Sequence, residues 1–339
     1  MKIIDQIVDQ RPAVEGQFNG NFDGLRAVAA LMVMAMHIKT IPPLAGGAPG
    51  VWLFFTLSGY LLYCSFLRLS NQVNSNIIMA YMTHRVFRII PLYLVFVFVY
   101  AYVFKGWSLD QQNSFLIVQS FFLKDTLHLW TVKQEMIFYL VLPLIMMSFY
   151  FIKSTGLRSF ILIFGAVLAI YLHSTYDLSL FSTRAHVACF LLGMAAVHVK
   201  QYVPSAWSPY IAYSSLALIL ILCLFVQWNL PIRSFLGILS REHIHRNSFV
   251  FFPLCFLLVM SLSRFSSRFW GNRYLRLLGV VGYGFYLWHP LTCELVRGWQ
   301  LSNIIVFQFC AYSLTFSFAL TTYFIIEKPG INLGRQLAI

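Results

Sequence analysis

The sequence predicts an all-α polytopic membrane protein: a bundle of about ten transmembrane helices with the N- and C-termini cytoplasmic. Three observations carry that prediction. Of 339 residues, 59% are hydrophobic and only 10% charged, whereas a soluble domain carries about 25% charged residues. Ten apolar segments follow one another with short polar connections. Basic residues fall unequally on the two sides that those segments define. Lipid offers a backbone no hydrogen-bond partners, so such segments satisfy their own as helices.

The predicted spans are 23–40, 50–68, 86–104, 129–152, 157–173, 185–199, 210–228, 249–262, 275–297 and 303–326. The turn-forming PPLAGGAP, Pro42 to Pro49, separates the first two, and the polar SNQVNSN, Ser70 to Asn76, the second and third. The run 113–123 is too short to span and is expected as an outer-face or re-entrant segment. With the N-terminus inside, 15 Lys and Arg residues face the cytoplasm and 9 face outward, the basic REHIHR among the latter. Residues 1–22 carry Asp5, Asp9, Arg11 and Glu15. They read as a cytoplasmic segment rather than a cleavable signal peptide. The expected organisation is therefore 1–22 cytoplasmic, 23–327 transmembrane domain and 328–339 cytoplasmic tail.

The net charge of +13 suits cytoplasmic loops and anionic headgroups. The basic residues form no contiguous arm, so membrane lipids and not nucleic acid are the expected partners. The six cysteines lie mostly in apolar runs, without a C-x-x-C pair, and read as small packing residues. His243 and His245 form an HxH without further ligands nearby, so no metal site is expected.

Candidate chemistry begins in the first span. GLRAVAALMVMAMHI carries Arg26 and His37, eleven residues apart. That is about 16 Å along a helix and three turns, which puts them on one face. An ionisable residue within an apolar span points to function; the plainer reading is a snorkelling arginine and an interfacial histidine. Arg85 and Arg88, in HRVFRIIP, are three apart at the predicted cytoplasmic boundary. They would clamp phosphates bidentately, or merely mark orientation. Glu135, at the start of the fourth span, falls in the outer half with His37 and would orient it, or would fix helix packing. Only Glu135 and Glu294 read as acids clearly within spans. Tyr286 and His289 lie in VGYGFYLWHP. They suit an aromatic belt and a histidine bonding a backbone group freed by Pro290. Ser58-Gly59 in LFFTLSGYLL favours close helix packing over nucleophilic chemistry.

These pieces together resemble the acyltransferase-3 family of integral membrane O-acyltransferases. The matching stretches are FDGLRAVAALMVMAMH, GVWLFFTLSGYLL, RVFRIIPLY, LWTVKQEMIFYLVLP, GYGFYLWHP and IIEKP, in family order and over nearly the whole chain. Trp52 departs from the Asp or small residue of many relatives. Thr131 and Lys133 replace a common Ser-Leu before the glutamate. The resemblance implies about ten helices and acetyl-CoA as the cytoplasmic acyl-CoA donor. It implies acetylation of a lipid-linked or surface glycan, such as O-antigen, at the bacterial inner membrane. It puts donor binding at Arg26, Arg85 and Arg88, and catalysis at His37, as general base or acyl carrier, with Glu135. Ser58, Tyr139, Tyr286 and His289 are left as acceptor-contacting or structural residues. No soluble SGNH-type domain is expected after IIEKP. The competing readings are a transporter or flippase without chemistry, and an acyltransferase acting on a small metabolite, antibiotic or peptidoglycan.

Overall fold

The computed structural model describes residues 20–38, 47–69, 75–104, 108–120, 122, 128–176, 183–228 and 248–338. Expectations for the segment 1–19, most of the PPLAGGAP and SNQVNSN connections, and the HxH loop lie outside the described residues. The described regular structure is all helical: α1 (Asn21–His37), α2 (Gly47–Leu69), α3 (Ser75–Val99), α4 (Leu109–Ser120), α5 (Trp130–Tyr150), α6 (Thr155–Tyr176), α7 (Thr183–Val199), α8 (Ser208–Trp228), α9 (Ser248–Leu262), α10 (Arg273–Val280), α11 (Gly282–Gly298), α12 (Ile304–Thr322) and α13 (Lys328–Leu337). Six stretches are long and apolar enough to cross a membrane: Gly47–Leu67, Ser75–Phe104, Trp130–Tyr150, Thr155–His173, Ser205–Phe225 and Ile304–Leu337. This is a multi-pass membrane protein. On α5, Leu140, Leu144 and Met147 form an exposed apolar stripe while Phe138, Leu142 and Met146 are buried. An apolar surface on both faces suits lipid outside and protein inside.

Three boundaries differ from the expectation. The third span begins at Ser75, not near residue 86, because the polar SNIIMAYMTHR continues the helix. The stretch 275–297 is two helices divided at Val281: α10 is amphipathic and Asn272 caps it, its side chain accepting from the Tyr274 N–H. Beyond α12 the chain passes through a π turn, Tyr323–Glu327, into α13, so the expected tail is helical over Lys328–Leu337.

The helices form two compact units. The first holds α1, α2 and α6–α10; the second holds α3–α5 and α11–α13. Glycines set the close approaches in each. In the first unit, a Cβ at Gly193 on α7 would strike the Thr56 carbonyl of α2, and one at Gly59 would lie 2.9 Å from the Phe190 carbonyl carbon. Ser58-Gly59 thus marks a close helix crossing. Trp52, the departure from the family pattern, is core, with its ring 5.1 Å from Phe252 and 5.5 Å from Phe251 on α9. In the second unit, Pro91 deprives the Phe87 carbonyl of its helical donor. Gly330 of α13 comes against that oxygen, a Cβ there lying 2.6 Å away. This contact seats α13 on the stretch of α3 that carries Arg85 and Arg88.

Candidate active site

In the first unit the start of α1 is held from three directions. Asn21 Nδ2 donates to the carbonyls of Leu262 (3.1 Å) and Phe265 (2.6 Å), and its Oδ1 accepts from Ser267 N–H (3.2 Å). Gly24 lies against the Trp270 carbonyl, and Gly279 of α10 against the Asp23 carbonyl, both too close for a Cβ. Asp23, only 2% exposed, pairs with two arginines: Oδ1 with Arg26 Nη1 at 3.1 Å and Oδ2 with Arg276 Nε at 3.9 Å. In the sequence Asp23 stands only as a letter of FDGLRAVAALMVMAMH, and Arg276 only as one of the cytoplasmic charges. The i, i+3 spacing of Asp23 and Arg26 was the available signal.

His37 closes the same uninterrupted helix and is half-buried. Its Nδ1 is 2.9 Å from the Val33 carbonyl. A carbonyl only accepts, so Nδ1 carries the hydrogen in this contact. Arg26 and His37 thus keep the spacing along α1 that the sequence predicted.

In the second unit, Arg85 lies ten residues into α3, rather than at its opening. Its guanidinium carbon is 5.6 Å from the Tyr81 ring centroid and 5.9 Å from that of Tyr139 on α5. Such stacking on two rings is favourable for a partly desolvated cation. Tyr139 in turn donates to Glu135 Oε2 at 3.1 Å. The predicted spans put Glu135 in the outer half and the arginines at the cytoplasmic boundary; in the structure Arg85 and Glu135 meet around Tyr139. Arg88, one turn on, is half-buried. His37 and Glu135, expected as a pair, belong to different units.

A second polar cluster in this unit contains Tyr286 and His289 together with His128, which the sequence reading did not single out. Pro290 frees the Tyr286 carbonyl, and His289 Nδ1 bonds it at 2.5 Å. His128 Nε2 donates to the Leu287 carbonyl at 3.0 Å, and the two imidazoles stand edge to face at 5.2 Å. Tyr286 donates to the His128 carbonyl at 2.9 Å, and Thr131, another departure from the family pattern, contacts Tyr286 Oη at 2.8 Å. All four side chains are buried. Of the two acids expected within spans, Glu294 is exposed, whereas Glu327 in the π turn is 4% exposed. A Cβ at Gly284 of α11 would lie 2.9 Å from Glu327 Oε1. Glu327 escaped the reading because it falls one residue beyond the last predicted span. Ser58 is half-buried beside the Gly59 crossing, and five of the six cysteines are buried in helices. Among the described residues no group of three or more His, Cys, Asp or Glu could hold a metal ion.

The family model for the acyltransferase-3 type, described as an acyltransferase domain, matches residues 19–324. The chain is 23% identical to a Staphylococcus aureus (strain COL) protein named as a putative O-acetyltransferase, over 91% of this chain and 56% of that one. It is 27% identical to the peptidoglycan O-acetyltransferase OatA of Listeria monocytogenes, over 79% of this chain and 48% of that one. It is 28% identical to a protein of Acidianus two-tailed virus named as a putative acetyltransferase, over 80% of this chain and 82% of that one. The chain spans about half the length of the bacterial relatives. No solved structure matches it.

Proposed function

Because the chain belongs to the acyltransferase-3 family, we propose that it is a membrane O-acetyltransferase. It takes an acetyl group from cytoplasmic acetyl-CoA and delivers it to a hydroxyl of a lipid-linked or surface polysaccharide, such as O-antigen, at the bacterial inner membrane. The observation that carries this reading is His37, whose Nδ1–H is committed to the Val33 carbonyl, on the same helix as Arg26. A base with a fixed tautomer about 16 Å from a guanidinium suits a donor whose phosphates and thioester are joined by the extended pantetheine arm.

In this mechanism Arg26, Arg85 and Arg88 hold the donor phosphates. His37 Nε2 takes the proton of the acceptor hydroxyl as the oxygen attacks the thioester carbonyl. When the tetrahedral intermediate collapses, the carbon–sulfur bond breaks and the imidazolium returns the proton to the leaving thiolate. With His37 as acyl carrier, Nε2 would attack the thioester first and expel the CoA thiolate; the acceptor hydroxyl would then attack the acyl-imidazole, releasing the ring, and its proton would pass to the thiolate. Glu135 and Tyr139 act beside Arg85, keeping a carboxylate close to a stacked guanidinium. Peptidoglycan is the second acceptor to consider, since the Listeria relative is named for it.

The test is mass spectrometry of surface polysaccharide and peptidoglycan from cells with and without the gene, alongside acetyl-CoA titration of the purified protein. The reading expects gene-dependent O-acetyl groups and saturable acetyl-CoA binding. A transporter of unrelated cargo would show neither.

A further inference from the structure

Asp23 and Arg276 have no part in the transfer as set out so far, yet they are tied to Arg26 at the start of α1. The two arginine side chains keep part of their surface, Arg26 21% and Arg276 18% exposed, while the Asp23 side chain between them is 2% exposed. Two positive charges on one negative leave a net charge of +1, and the buried carboxylate lies between them, hydrogen-bonded to Arg26 at 3.1 Å and ion-paired with Arg276 at 3.9 Å.

The arrangement is also closely packed. The Arg276 stem lies across Gly20, where a Cβ would be 3.1 Å from its Cδ and Nε. Gly279, one turn from Arg276 on α10, touches the Asp23 backbone, and Gly24 touches that of Trp270. Packing of the Arg276 stem on Gly20 would lower the side-chain entropy lost on binding.

We propose that Arg26 and Arg276 form the subsite for the donor's diphosphate, with Asp23 as the positioning residue that holds the pair. This rests on the reading that acetyl-CoA is the donor. In that molecule the diphosphate carries two adjacent singly charged phosphoryl groups and leads directly into the pantetheine arm. The ribose 3′-phosphate hangs from the other end. The arginine pair that shares a helix with His37, about 16 Å away, therefore takes the diphosphate.

The experiment titrates the full-length protein in lipid nanodiscs with acetyl-CoA and with acetyl-dephospho-CoA, which lacks the 3′-phosphate. Arg276→Ala should weaken both ligands by the same factor, about tenfold, the low end for a charge-assisted contact, and Arg276→Lys should recover part. Weakening confined to acetyl-CoA would overturn the diphosphate assignment, and unchanged binding of both would overturn the subsite. Asp23→Asn adds positive charge, so attraction alone predicts tighter binding. A positioning role predicts a raised acetyl-CoA KM with kcat kept at saturating donor. Asp23→Glu, which keeps the charge but shifts it by a methylene, should raise KM likewise; tighter binding by Asp23→Asn, or a wild-type KM in Asp23→Glu, would overturn Asp23's role. A wild-type protein that binds neither ligand would instead sink the acetyl-CoA reading itself.

Discussion

Replacing His37 by asparagine separates its two ring nitrogens. The amide nitrogen of Asn occupies the place of Nδ1 and can still donate to the Val33 carbonyl, which lies 2.9 Å from Nδ1 in the wild type. That bond is worth about 1 kcal/mol of stability, so His37→Asn should melt close to wild type. The proton-accepting Nε2 is gone. Loss of a positioned base costs about 10²- to 10⁴-fold in rate, or about 2.7–5.4 kcal/mol of barrier. Donor binding should persist, because Arg26 remains on the same helix. His37→Gln places its amide nearer the Nε2 position and should be equally inactive, since an amide is not a base. The assay measures acetyl transfer, acetyl-CoA affinity and thermal stability on the same purified variants. A folded His37→Asn protein that transfers acetyl within about threefold of wild type would refute the argument, because such a change lies far below the expected loss of a base.

Other outcomes follow from the same contacts. Arg85→Ala and Arg88→Ala should each weaken acetyl-CoA by at least about tenfold, with lysine rescuing only in part because a point charge cannot fork; titration checks this. His289→Asn should preserve the bond to the Tyr286 carbonyl and the melting temperature, whereas His289→Ala leaves a buried carbonyl with one donor fewer and should cost about 1–3 kcal/mol. Gly330→Ala should loosen α13 from α3, because its Cβ would lie 2.6 Å from the Phe87 oxygen; limited proteolysis near the C-terminus reads that. Reporters fused at residue 45 and after Ile339 should report outside and inside respectively, and the reverse would place His37 in the wrong half of the membrane.

The helices were legible because apolar length and hydropathy report lipid directly, and α5, α6, α8 and α9 fall within a few residues of their predicted spans. The failures have a common cause. A hydropathy window sees only apolar runs, so it missed the polar first turns of α3 and could not see that α10 is an amphipathic helix distinct from α11. The arginines and His37 were visible as charges in apolar surroundings, but their partners were not. Asp23 and Arg276 are some 250 residues apart in sequence, and only the glycine contacts of α1 with α10 bring them together. Tyr139 is legible in the sequence only as an acceptor-contacting or structural residue; Arg85 over its ring is a tertiary contact of α3 with α5. His128 sits in a turn before α5, outside any periodic pattern, and its bond to α11 is a tertiary contact. By contrast, the proline effect at Tyr286 was readable, because it depends only on local backbone chemistry.

Passage of acetyl from acetyl-CoA to a surface glycan through His37 can be followed with isotope. Inverted membrane vesicles carrying wild-type or His37→Asn protein are supplied with acetyl-labelled acetyl-CoA, and the label in their lipid-linked glycans and peptidoglycan is measured. The account predicts alkali-labile acetyl label in glycan with the wild type, and none above background with His37→Asn at equal protein and equal donor binding. Equal labelling by both proteins, or no glycan label from a wild type that binds acetyl-CoA, would contradict it.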